Sequence, residues 1–174
     1  MNIYLRALEI NDFVSINRWR NDELIAKYLA SNHYFVSSER EKVSIEKKIF
    51  DDSNHLYLGI CEIKTNVLVG YCSINNIDLR NCKAEWGGTL IGKESFGKGY
   101  GLESARLMLR YLFDEYPIHK CHTSCLEGHP KTSELFKKLG FKEDGILRDE
   151  IYKNGKYNNV VLYSILRNEI NDYF

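Results

Sequence analysis

Gly97, Gly99 and Gly101 occupy alternate positions in the stretch Gly92-Lys93-Glu94-Ser95-Phe96-Gly97-Lys98-Gly99-Tyr100-Gly101. Glycine lets a backbone approach a ligand with no Cβ in the way. Helical periodicity begins at Tyr100, so the turn lies at a helix start, where unsatisfied N–H groups and the positive dipole end converge. Phosphate oxygens suit that arrangement. Taken alone, the pattern serves a tight turn as well as a ligand. Its spacing is not GxxxxGK[ST], and it does not follow the first strand of a βαβ unit, so neither a Walker loop nor a dinucleotide fold is indicated.

A second cluster, His119-Lys120-Cys121-His122-Thr123-Ser124-Cys125, invites a zinc reading. On a strand, His119, Cys121 and Cys125 share one face and His122 takes the other, so the four cannot converge and no metal is expected. A Cys–His nucleophile has no local signature to support it. Gly87-Gly88, inside a strand-like run, fits a bulge or a close ligand approach.

The elements that must position these residues follow from periodicity. Ile3 to Leu8 alternates as a strand. Residues 12–30 carry helical spacing in two short pieces around Asn21-Asp22. Ser38 with Glu41 fits a capping box for a helix reaching about Phe50. Strands are expected at His55–Lys64, Val67–Ile77 and Lys83–Ile91, with turns at Asn66 and Asn81. The helix from Tyr100 to Tyr116 has Leu102, Ala105, Leu109, Leu112 and Tyr116 as its apolar stripe. A strand at His119–Leu126 and a helix at Lys131–Leu139 closed by Gly140 come next. A hairpin of Phe141–Lys153 and Tyr157–Arg167 then turns at Asn154-Gly155. The fold class is α+β, a mostly antiparallel sheet flanked by helices on both faces.

Composition bounds the partners. The chain has 174 residues, 24 basic and 24 acidic, with 44% hydrophobic and 13% aromatic side chains. One domain spanning 1–174 is expected at this length, and intrinsic disorder is excluded. The charge balance argues against a nucleic-acid binder. No apolar run is long enough to span a membrane, and Arg6, Glu9 and Asp12 break any secretory signal. Five cysteines, an odd number, read as reduced thiols in a cytoplasmic protein.

The order of strand, glycine turn, long helix, strand, short helix and hairpin resembles the GNAT acetyltransferase superfamily over nearly the whole chain. Phe96-Gly97-Lys98-Gly99-Tyr100-Gly101 occupies that family's Gln/Arg-x-x-Gly-x-Gly/Ala motif. Asn17-Arg18-Trp19-Arg20-Asn21-Asp22, Leu139-Gly140-Phe141, Asp144 to Arg148 and Asn154-Gly155-Lys156-Tyr157 extend the likeness. It is closest to the branch of ribosomal-protein alanine and small-molecule N-acetyltransferases. Gly70 to Ile74 is similar, more loosely, to amino-sugar acetyltransferases.

The resemblance implies acetyl-CoA as co-substrate and direct attack of a primary amine on its thioester. The acceptor would be a small molecule (amino sugar, nucleotide sugar or polyamine) or a protein N-terminus; a homodimer is compatible. Implied co-substrate contacts are Leu90, Ile91, Phe96, Gly97, Lys98, Gly99, Tyr100, Gly101, His129 and Phe136, with an oxyanion donor near Leu90 and Ile91. Glu85 is implied as a base working through water, with His129 as second candidate for base or acid. Acceptor walls are implied at Trp19, Tyr28, His33, Tyr34 and Phe35, and at Tyr152 and Tyr157; core packing is the stronger expectation for Trp19, and a ligand role for His33 and Tyr34 in their loop.

Two positions depart from the pattern. The motif's first residue is Phe96, a small loss where backbone N–H groups do the binding. Many relatives have an asparagine and a tyrosine acid where this chain has His129 and Phe136. Phe136 donates no proton, although a thiol of pKa about 8.5 is already a fair leaving group. A catalytically weak acyl-CoA-binding module is the competing reading.

Overall fold

Strands β1 (Ile3–Ala7), β2 (Leu56–Glu62), β3 (Leu68–Asp78), β4 (Lys83–Ile91), β5 (Lys120–Leu126), β6 (Lys142–Lys153) and β7 (Lys156–Leu166) form one sheet in the order β1-β2-β3-β4-β5-β7-β6. This is a computed structural model describing residues 1–27, 29, 35–50 and 53–172. Among the described strands, only β4 and β5 pair in parallel. Helices are α1 (Phe13–Arg20), α2 (Glu23–Ala26), α3 (Ser38–Ile49), α4 (Tyr100–Glu115) and α5 (Pro130–Lys138).

Helices cover both sheet faces, as expected from the alternating strands. On one face Ala105, Met108, Leu109 and Leu112 of α4 pack on Ile60, Cys72, Ile74 and Ala84. On the other, Ile16 and Trp19 of α1 and Ile45 of α3 pack with Leu8 and Leu90. The stripe of α4 is centred slightly off its expected line. Met108 and Phe113 are buried, whereas Leu102 and Tyr116 are half-buried at its margin, Tyr116 being already extended beyond the helix.

The cap of α3 also sits one residue earlier than expected. The Ser37 hydroxyl accepts from Arg40 N at 3.2 Å, and Ser38 is the first helical residue. Glu41 therefore does not close a capping box; it turns inward, fully buried, 3.5 Å from Arg20. The final hairpin turns where Asn154-Gly155 predicts, both residues holding positive φ (54° and 78°), as a type I′ turn requires.

The decisive feature lies in the middle of the sheet. β4 and β5 pair only at Lys83–Lys120, Ala84–Cys121 and Glu85–His122, and then part. On its other edge β4 carries the bulge foreshadowed by Gly87-Gly88. Ile74 opposes Trp86 and Ser73 opposes Gly88, leaving Gly87 over. A Cβ on Gly87 would lie 2.3 Å from Ser73 Oγ, so any side chain at this rung must displace its neighbours on β3. The extra residue exchanges the faces of β4: Trp86 packs on the α4 side, while Leu90, an even number of residues on, packs under α1 and α3.

Candidate active site

The wedge between β4 and β5 opens beside a set of ring contacts. Phe136 lies 5.6 Å from Trp86, 5.7 Å from Phe141 and 5.1 Å from Tyr163, centroid to centroid. The Thr123 hydroxyl donates to Trp86 O at 3.0 Å at the point of parting. Two polar atoms of β4 here, Trp86 Nε1 and Thr89 Oγ1, are buried without a hydrogen-bond partner.

Backbone alternation decides which N–H groups face the wedge. Gly92 N donates across to Val69 O at 2.8 Å, so residues 92 and 90 direct their amides at β3. Ile91 and Thr89, between them, direct theirs into the wedge. Of the two positions near which the oxyanion donor was expected, Leu90 is thus committed to β3, and Ile91, together with Thr89, turns its amide to the wedge. The bulge is the signal that would have found Thr89, because it resets the alternation after Trp86.

The glycine turn leads from β4 into α4, as expected. Gly97 and Gly99 hold φ of 79° and 80°, Gly99 is the N-cap of α4, and nothing lies within 4 Å of a Cβ built on residues 97, 99 or 101. A diphosphate fits such a cradle of open backbone at the start of a 16-residue helix. Lys98 does not face it freely: its Nζ lies 3.4 Å from Glu62 Oε1 and 5.5 Å from the Tyr100 ring centroid. Tyr100 turns inward and donates to the same Glu62 oxygen at 2.5 Å. That bond, first, and those from Thr65 and Lys98 hold the Glu62 carboxyl down at about 2, and Glu62 in turn pushes the Tyr100 phenol up to about 12.

The turn is anchored to α1. Lys93 pairs with Asp22 at 2.6 Å, Arg18 with Glu94 at 2.7 Å, and Trp19 Nε1 donates to Glu94 at 3.2 Å. Trp19 is buried against Gly92, so it is a packing residue for the glycine turn and not an acceptor wall.

Glu85 occupies the last paired rung of β4, half-buried, its Oε2 accepting from Asn76 Nδ2 at 2.8 Å. Its register partner on β5 is His122, a neighbour that no sequence pattern reveals because parallel register has no local signal. His129 lies elsewhere. It caps α5, with Nδ1 2.9 Å from Thr132 Oγ1, beyond the far end of β5. About 13 Å of strand separates that end, Leu126, from the Glu85 rung. Glu85 and His129 are therefore not brought together, and His129 is not placed to share Glu85's proton. Phe136, at the parting itself, is a buried ring among rings.

On the acceptor side, Tyr28, His33 and Tyr34 lie outside the described residues. Phe35 is 89% exposed; Tyr157 (66%) and Tyr152 (54%) stand at the hairpin tip with ring centroids 5.2 Å apart. Lys153, only 7% exposed, ties that tip to the segment after α2, its Nζ donating to Ala26 O at 3.1 Å and to Leu29 O. Asn21 fixes the other end of the segment through both atoms of its amide, bonded to Val36 N and O at 2.9 Å. Burial pushes the Cys72 and Cys121 thiols up to about 12, so neither supplies a thiolate nucleophile at neutral pH.

Parted parallel strands with a glycine turn at the end of β4 agree with the acyl-CoA-dependent transferase class that the sequence resembles. The chain belongs to the GNAT family: the acetyltransferase (GNAT) domain family matches residues 2–142. It is 30% identical over 173 residues to the putative ribosomal N-acetyltransferase YdaF of Bacillus subtilis, covering 97% of this chain and 93% of that one. It is 28% identical over 165 residues to the spermidine N(1)-acetyltransferase of Vibrio cholerae, covering 95% and 93%. The crystal structure of spermidine N-acetyltransferase from Vibrio cholerae in complex with CoA and spermine superposes with a TM-score of 0.88 at 27% identity, over 97% of this chain and 98% of that one. The protein is thus an acetyl-CoA-dependent N-acetyltransferase acting on an amine. Among its described residues no helix is long and apolar enough to cross a membrane.

Proposed function

We propose that the acceptor is a primary amine of a small molecule, a polyamine first, and that Glu85 is the base that readies it. The single observation that carries this assignment is the position of Glu85 on the last rung before β4 and β5 separate. The resemblance to spermidine acetyltransferases across nearly the whole chain favours a polyamine over the amino sugars. A protein N-terminus is the second reading, favoured by the likeness to the putative ribosomal acetyltransferase.

The chemistry follows from what each group can do. The diphosphate of acetyl-CoA lies on the N–H groups of residues 97–101, and the thioester reaches down the wedge. A free alkyl ammonium, with a pKa of about 10.4, must lose a proton before attack. Glu85, anchored by Asn76, takes it through water. The amine nitrogen then bonds to the thioester carbon, and Ile91 N–H and Thr89 N–H face the oxygen that gains charge. Collapse breaks the C–S bond, giving amide and thiolate, which takes a proton from solvent. Phe136 contributes packing and no proton. Five unpaired thiols, four of them buried, support a reducing, cytoplasmic setting.

Kinetics on spermidine, a nucleotide-linked amino sugar and an alanyl peptide test the acceptor. Glu85→Gln should lower kcat by about 10²-fold, with the acetyl-CoA dissociation constant unchanged. The defect should shrink as pH rises towards the acceptor's own pKa, where the base is no longer needed. An unchanged kcat would remove Glu85 from the mechanism; turnover of the peptide alone would favour the second reading.

A further inference from the structure

The glycine turn has an internal competitor for its ligand. Both lysines of the 92–101 stretch are paired with carboxylates from other elements: Lys93 with Asp22 of the α1–α2 turn, and Lys98 with Glu62 at the end of β2. The first position of the motif, where relatives carry glutamine or arginine, is Phe96. Lys98 is therefore the cation nearest the cradle, and a carboxylate holds it.

Glu62 is fixed by more than Lys98. It accepts from Tyr100 Oη at 2.5 Å and from Thr65 Oγ1 at 2.8 Å, and Tyr100 is the first residue of α4. The carboxylate thus lies beside the helix start that would receive a diphosphate. It stays ionised throughout the working pH range because its hydrogen bonds hold it down at about 2. Lys98, half-exposed on a flexible stem, can turn either to this fixed anion or to an incoming one.

We propose that Glu62 is a negative affinity determinant for the co-substrate: it parks Lys98, and CoA binds by exchanging Lys98 from the Glu62 carboxylate to its own phosphates. This rests on the placement of the diphosphate at residues 97–101. Binding is weaker than the cradle alone allows, because one ion pair must break for another to form. The consequence is a lower hold on the CoA product, which leaves by the reverse exchange.

Calorimetric titration with CoA, without acceptor, separates the possibilities. Glu62→Gln keeps an oxygen for Tyr100, offers its amide N–H to the Thr65 hydroxyl oxygen and releases Lys98, and should tighten CoA about three- to tenfold, most at low ionic strength. Adding Lys98→Met to Glu62→Gln should erase that gain. An unchanged or weakened dissociation constant in Glu62→Gln, or a gain that survives loss of Lys98, overturns the proposal. No binding of CoA to the unaltered protein would instead overturn the placement of the diphosphate. A measurement on the unaltered fold needs no acidic-site variant. With lysines dimethylated with ¹³C, the Lys98 resonance, assigned by its absence in Lys98→Arg, should move at saturating CoA, and an unmoved resonance counts against the exchange.

Discussion

Gly99 is the residue on which the cradle turns. Its φ of 80° belongs to the left-handed region, where a side chain costs about 1–2 kcal/mol, yet the space around its missing Cβ is empty. The strain of a substitution would come from the backbone and not from a clash. Gly99→Ala should therefore lower Tm by about 2–8 °C, at about 2–4 °C per kcal/mol for a chain of this size. It should also weaken CoA binding, because relaxing φ re-aims the N–H groups that open α4. A thermal melt with and without CoA checks both; a lower Tm with an unchanged CoA shift would detach this residue from the phosphate. At position 136 the same scale explains tolerance: the ring keeps its three aromatic neighbours, and only a proton donor is lost.

Among elements, the bulged strand β4 does most to build the site. One extra residue opposite Ser73 and Ile74 changes which face and which edge every later residue of the strand uses. Without it, the amide of Leu90 would face the wedge in place of those of Thr89 and Ile91. Gly87→Ala places a methyl 2.3 Å from Ser73 Oγ and 2.4 Å from Asn75 Nδ2, so both side chains must shift to admit it. The expected cost is about 1–3 kcal/mol of stability by overpacking. A kcat loss beyond that of Gly88→Ala is also expected, because the alanine at 88 meets open space and only its positive φ resists. Equal kcat in the two variants would mean that the bulge shapes the strand without aiming its amides. The hairpin β6–β7 anchors a second region, where Lys153 holds the carbonyls of Ala26 and Leu29.

Across the whole molecule, what the sequence made legible was local. The I′ turn at Asn154-Gly155, the bulge at Gly87-Gly88 and the glycine cap of α4 are each set by φ values few other residues tolerate, so residue type alone betrays them. The resemblance singled out Glu85, which the fold sets on the rung before β4 and β5 part. What was not readable depends on pairs far apart in the chain. His122 meets Glu85 only through parallel register, Glu62 meets Tyr100 across 38 residues, and Lys153 meets Ala26 across 127. Trp19 packs as expected, but its partners were hidden for the same reason, since its burial comes from Gly92 and Glu94 and not from its own helix.

Such long-range ties also set how the fold responds to acid. Lys93 holds the Asp22 carboxyl below the usual range, Lys120 does the same for Asp144 and Lys142 for Glu169, while Glu62 is held at about 2 chiefly by Tyr100. Each joins segments well apart in sequence, and each favours the ionised form in the folded state. A carboxylate whose pKa falls on folding adds stability above its unfolded value, about 3.9 for Asp and 4.3 for Glu, and forfeits it as pH drops through the folded one. Tm should therefore be nearly level from pH 7 to about 5 and decline steeply below about 4. Glu62→Gln should soften the decline below about pH 4, because the Glu62 carboxyl gives up its contribution between its unfolded value and about 2. Melts followed by circular dichroism between pH 7 and 3 check this. A decline already under way between pH 7 and 5.5 would mean that groups other than these four carboxylates set the response of the fold to acid.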